Sequence, residues 1–307
     1  MNEYDNFAFD ESEVIRDDSK IDCAQFRLLR RLHIPERFNG PQDGSIKHAA
    51  VIDVETTGLS TEKDEVIQLA ILPFDYEPKS GRILTVHNGD AFEGMREPAV
   101  PISEEARLVH GITDEMVVGK SIDGAAVSAI IGDLDLIFAH KANFDRPMTE
   151  KHWPCFEGKP WACTLEGVDW PREGFTAGKL DYLGMQYGWF YEGHRALTDC
   201  EACLALLAQE LPLSKKRVMT AVRADALRKQ YLVRAVDSPF EQKDVLKRRG
   251  YRWRSPELRN GKVWWTMTTD PEAEIEWLRT EVYHRDASIP VRSVTVLERY
   301  SERIWDF

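Results

Sequence analysis

No apolar stretch in this 307-residue chain approaches the length of a membrane-spanning helix, so no membrane partner is expected. The opening MNEYDNFAFDESEV is acidic and lacks the basic-then-apolar order of a secretory signal. Cysteines number five, an odd count spread over a long chain, which argues against a disulfide scaffold and fits a reducing, cytoplasmic setting. Internal repeats and low-complexity tracts are absent. Net positive charge is missing too: the formal charge is −12, an unexpected balance for a polyanion binder. That deficit is uneven. From Ser214 to Trp265 about 15 Lys/Arg stand against about 5 Asp/Glu, so the rest of the chain carries the acid. A phosphate partner is compatible with this balance if the basic stretch or bound cations supply the attraction.

What is present is a real core, with 43% hydrophobic residues, and room for one large domain and a smaller one. Residues 1–45 read as an extension, in which the spacing of Phe26, Leu28, Leu29 and Leu32 predicts a short amphipathic helix. From His48 the pattern turns to strands: AAVIDVE, EVIQLAILPFDY and RILTVHNG form an expected antiparallel meander. SEEARLVHGI reads as a helix capped by Ser103, and SIDGAAVSAIIGDL as another. LDLIFAH is a buried strand, followed by a helix with Pro147 in its first turn. LDYLGMQYG and RALTDCEACLALLAQEL complete a catalytic-sized unit at 46–212. Residues 213–235 read as a basic helical connector, and 236–307 as a small basic α+β domain. The expected class is α/β, a mixed five-stranded sheet flanked by helices.

Four acidic residues and a histidine stand out. Asp53 and Glu55, in VIDVETTGL, are two apart on a predicted strand and share a face. Asp145 follows a strand in AHKANFDRP; His194 and Asp199 lie in GHRALTDCEA. Singly, each aspartate at a helix start is as well explained as a cap, and the histidine as structural. Converging, four carboxylates make an oxygen-only site for hard divalent cations, and the histidine supplies a base for work near neutral pH.

In this order and context the blocks DVETTGL, HGIT (His110 to Thr113), AHKANFD and HRALTDCEA resemble the DEDDh 3′–5′ exonucleases, over residues 46–212. That group includes the proofreading epsilon subunit of bacterial DNA polymerase III, RNase T and oligoribonuclease. The resemblance implies an RNase H-like fold. It implies that Asp53, Glu55, Asp145 and Asp199 hold two Mg²⁺ or Mn²⁺ ions, and that His194 deprotonates the attacking water. The product would be a nucleoside 5′-monophosphate. Thr56, Gly58 and Leu59 match positions that cradle the terminal nucleotide, and His110 and Ile112 match contacts at the strand end. One departure is Lys141, where the family often has Asn. The expected substrate is DNA with a free 3′ end, with a polymerase or repair partner. The alternatives are an exoribonuclease and a non-catalytic binding module.

Three further features need weighing. Cys200 and Cys203 form a C-x-x-C, yet inside a predicted helix beside a site aspartate they read as buried structural thiols. QELPL at 209–213 reads as a helix end in preference to a clamp-binding peptide. In the C-terminal unit Lys247, Arg248, Arg249, Arg252 and Trp253 are candidate nucleic-acid contacts, although most tryptophans of so small a domain are expected in its core.

Overall fold

The computed structural model describes residues 27–40 and 44–307. Two compact units are present, the first ending at Ala226 and the second running from Leu227 to Phe307. In chain order the strands of the first are β1 (Arg30–Arg31), β2 (Lys47–Thr56), β3 (Val66–Glu77), β4 (Arg82–Val86), β5 (Phe92–Met95), β6 (Leu136–Ala139), β7 (Trp161–Cys163) and β8 (Trp189–Phe190). Its helices are α1 (Glu104–His110), α2 (Asp114–Val117), α3 (Gly124–Gly132), α4 (Ala142–His152), α5 (Leu180–Gln186), α6 (Ala196–Ala208) and α7 (Val218–Ala226).

The main sheet runs β4-β3-β2-β6-β7, and β5 pairs with the far end of β3, so six strands take part where five were expected. β2, β3 and β4 are the antiparallel meander; β6 and β7 add in parallel. Strands β5 and β7 are four and three residues long, too short to show a period. Val51, Ile52, Ile71 and Phe138 have no solvent exposure, as expected for a sheet covered on both faces.

Ser103 caps α1 as its position suggested, its hydroxyl accepting from the Ala106 amide. Helix α4 starts earlier than expected, so Pro147 lies inside it and not in its first turn. The neighbouring Arg146 is fully buried; it pairs with Glu150 at 2.7 Å and sits 5.8 Å from the Trp161 ring, tying α4 to β7.

Two sequence expectations are corrected. No helix forms over 27–32: Arg30 and Arg31 pair with Trp189 and Phe190, the Leu32 amide bonds to the Phe190 carbonyl, and Ile34 enters the core. The leucine spacing serves an extended segment that binds through its backbone; Phe26 lies outside the described residues. Nor is 213–235 a connector. Val218, Met219 and Val222 of α7 are fully buried in the first unit's core, whereas 230–235 is a strand of the second. The basic residues hid an apolar helix face.

The contact of α5 with β8 is close. A Cβ on Gly184 would lie 2.4 Å from the ring of buried Trp189. Gly184→Ala should therefore destabilise the first unit by about 1–3 kcal/mol, the usual cost of overpacking. A urea midpoint unchanged from wild type would contradict this.

The second unit holds β9 (Gln230–Ala235), α8 (Lys243–Arg249), β10 (Arg252–Arg254), β11 (Val263–Thr268), α9 (Pro271–Trp277), a π-helical turn (Leu278–Tyr283) and β12 (Val291–Val294). Its antiparallel sheet is ordered β10-β11-β9-β12. Val233, Leu246, Tyr251 and Leu278 form one cluster, and Leu232, Val294, Ile304 and Trp305 another. Gly250 ends α8 at φ 98°, a left-handed position that glycine fills without strain.

Candidate active site

Strand alternation puts Asp53 and Glu55 on the face of β2 that also carries Ala49 and Val51, the face covered by α6. A register shift between Glu55 and Thr56 ends the regular ladder there. β6 pairs with β2 only as far as Val51, so the strand beyond has a free edge. Asp145, in the first turn of α4, fills that edge, its carboxylate taking the Val54 amide. Asp199 stands in the first turn of α6. Carboxylate oxygens of Asp53, Glu55 and Asp199 lie within 4.8 Å of one another. Asp145 is 4% exposed and close enough for its charge to act on both Asp53 and Glu55.

Such crowding is costly without a counter-charge. Burial, then Asp145, Asp199 and Glu55, push the Asp53 carboxyl well above the ordinary range. Burial and the Asp199 and Asp145 charges push Glu55 up to about 8. Burial raises Asp145 to about 7, against the opposing pull of backbone amides and the Lys141 ammonium. The positive ends of α4 and α6 ease the repulsion only in part. All donors are carboxylate oxygens, a set that suits hard divalent cations, which would supply the charge that is lacking. No cysteine joins the group among the described residues. The Cys200 and Cys203 thiols are buried, against the Ala70 carbonyl and Thr164.

Asp199 accepts from the Tyr191 hydroxyl and from the backbone amides of His194 and Arg195. The Tyr191 hydroxyl gives to Oδ1 and the Arg195 amide to Oδ2, both at 3.1 Å. Burial and the Asp199 charge drive the Tyr191 hydroxyl strongly upward, so it remains a donor. Sequence reasoning missed Tyr191, because nothing in WFYEGH marks a tyrosine that folds back onto a residue eight positions later. Tyr191→Phe should slow cleavage about tenfold, the cost of losing one hydrogen bond to a charged group; a rate within twofold of wild type would contradict the role. His194 sits between them in the loop, exposed, at φ 64°, and its charge acts on Asp199.

The remaining expected residues divide. His110 is beside the site: its Nδ1 accepts the Ile112 amide at 3.0 Å, so Nε2 carries the proton and donates to the Thr56 carbonyl at 3.2 Å. Burial lowers its pKa and favours that neutral form. Ile112 is 4% exposed and packs with Ile67, Ile102 and Val117. Thr56 is buried, its hydroxyl donating to the Gly58 carbonyl at 2.6 Å. Gly58 has a structural reason of its own: a Cβ there would lie 2.6 Å from the Asp64 carboxylate, which accepts from Thr57 Oγ1 and the Ser60 amide. Leu59 is 82% exposed. Lys141 is exposed just before α4, its ammonium 5.1 Å from the Phe144 ring. The 209–213 segment is packed at its start: Gln209 bonds to the Ala205 carbonyl and Leu211 is buried.

The five accessory candidates lie in the second unit. Arg249 pairs with Glu274 at 3.1 Å and covers Trp277. Arg252 stands 5.5 Å from the Trp265 ring. Lys247 and Arg248 are exposed on α8, and Trp253 is exposed on β10.

The exonuclease family typified by RNase T matches residues 50–207, and the chain belongs to that family. PolC-type DNA polymerase III of Lacticaseibacillus paracasei is 33% identical over 194 residues, 61% of this chain and 13% of the polymerase. The Staphylococcus aureus PolC-type enzyme is 32% identical over 178 residues, 53% of this chain and 11% of that one. The chain thus spans a small fraction of the length of these relatives. Among solved structures, exonuclease X in complex with 5′ overhanging duplex DNA covers 56% of this chain and 99% of its own, at 23% identity and TM-score 0.40. E. coli exonuclease I in complex with a dA16 oligonucleotide covers 82% and 64%, at 19% identity and TM-score 0.44.

Proposed function

We propose that this protein is a divalent-metal-dependent 3′–5′ exonuclease that shortens DNA to nucleoside 5′-monophosphates. The observation that carries this reading is the convergence of Asp53, Glu55 and Asp199 within 4.8 Å, with Asp145 buried beside them, in a chain of the exonuclease family. Those four carboxylates would hold two Mg²⁺ or Mn²⁺ ions, and the chemistry such ions would supply is Lewis acidity toward the attacking water and the leaving 3′ oxygen. His194, exposed at the rim on a loop anchored through Asp199, accepts the proton of that water. Tyr191 and the Arg195 amide keep Asp199 oriented. His110, locked as its Nε2–H tautomer, steadies the turn after β2 that would receive the terminal nucleotide, with Thr56, Gly58 and Leu59. DNA is favoured over RNA because the matched relatives are named as DNA polymerases. By the same likeness, a polymerase or repair assembly is the proposed partner.

Direction and product are tested together with an oligonucleotide labelled at its 3′-terminal nucleotide. Labelled 5′-mononucleotide should be the first product in Mn²⁺ or Mg²⁺. A labelled nucleoside without phosphate, or label that stays in long fragments while the 5′ end is lost, would contradict the reading.

A further inference from the structure

The second unit leaves aromatic surface in water beside lysines. Phe240 is 74% exposed, before α8, with the Lys243 ammonium 4.2 Å from its ring centroid. One helical turn on, Lys247 lies 5.9 Å from the Trp264 ring. Trp264 faces Trp253 across the β10–β11 pair, the rings 5.3 Å apart, and Trp253 is 48% exposed. These contacts run in sequence, Phe240, Lys243, Lys247, Trp264, Trp253, so aromatic and ammonium groups form one strip. Stability of the unit does not explain the strip's ends, because its clusters close around Leu246, Tyr251 and Trp305 without Phe240 or Trp253. The neighbouring arginines divide from it: Arg254 is buried against Glu302 and Trp305, and Arg249 is engaged by Glu274.

We infer that the Phe240–Lys243–Lys247–Trp264–Trp253 strip binds single-stranded nucleic acid, with bases stacked on the exposed rings and phosphates met by the two lysines. Charge complementarity selects this occupant over a protein strand added to the β10 edge: with Arg249 and Arg254 set aside, residues 243–262 still carry six Lys/Arg against two Asp/Glu. The exposed rings select single strands, since a duplex keeps its base faces stacked inside. The inference deepens the nuclease reading and rests on it for the identity of the polymer, but it concerns binding and needs no cleavage.

The test is fluorescence polarisation of the full chain with 5′-fluorescein oligo-dT, in EDTA to prevent turnover, over a range of salt. Phe240→Ala and Trp253→Ala should each weaken binding roughly tenfold or more, with melting temperatures unchanged. Lys243→Gln with Lys247→Gln should lower the slope of log affinity against log salt by about 1.4. A duplex of the same length should compete poorly. Wild-type affinity and slope in all three variants would overturn the assignment, and so would equal affinity for the duplex. Because metal-dependent cleavage is scored separately on the wild type, a failed strip and a failed nuclease give different results.

Discussion

Asp53→Asn should lose cleavage by about a thousandfold or more, while the metal-free variant melts higher than the metal-free wild type at pH 8. The two effects have one cause. Asp53 lies amid Glu55, Asp145 and Asp199, and each neighbour makes its charge more costly. An amide keeps the shape, removes the charge and relieves the cluster. It also removes an oxygen donor from the cation site, and cation chemistry supplies several kcal/mol of the barrier reduction in such reactions. The pH dependence follows in sign. Glu55 titrates near 8 and Asp145 near 7 in the folded chain, both above the ordinary carboxylate range. Between that range and pH 8 the folded state therefore binds more protons than the unfolded state, and stability must fall as pH rises. In EDTA the melting temperature should decline from pH 5 to pH 8, and added Mg²⁺ or Mn²⁺ should remove most of that decline. A metal-free curve that rises over this interval, or turnover retained in pure Asp53→Asn, would contradict the arrangement.

His194→Asn should cut the rate about 10²- to 10⁴-fold, the range for a general base, and leave metal-induced stabilisation in place. Asparagine is the informative replacement. The residue sits at φ 64°, where Asn is tolerated and a β-branched residue would strain the loop. The side chain is exposed, so its loss opens no cavity. If His194→Asn instead abolishes the metal-induced rise in melting temperature, the histidine serves the cation site and not the proton.

The site was legible where chemistry and local structure share a short stretch. Asp53 and Glu55 sit on a strand whose apolar run declares it, and Asp199 opens a helix whose apolar periodicity does the same. The Asp145 carboxylate was legible as well, although the helix around it starts earlier than Pro147 suggested. Tyr191 was not legible, because it acts through a contact across a loop that has no sequence period, and the tautomer-setting Ile112 amide was not, because it is a backbone group that side-chain patterns do not encode. The packing of Ile112 with Ile67, Ile102 and Val117 was likewise not legible from its place in the motif. Residues 27–32 carry leucines at helical spacing, yet the pairing with β8 is a backbone interaction that side-chain spacing does not encode. The basic run after Pro212 masked both the buried face of α7 and the start of the second unit's sheet.

The four carboxylates and His194 are proposed to form a metal-dependent 3′–5′ nuclease. The most direct measurement is digestion of 5′-labelled single-stranded DNA, duplex DNA and matched RNA, each with EDTA, Mg²⁺ or Mn²⁺, with Asp53→Asn as the control. A ladder that shortens from the 3′ end is expected, on DNA before RNA, only with metal and only in the wild type. Wild type and Asp53→Asn that are equally inert on all three substrates, or equally active, would contradict it.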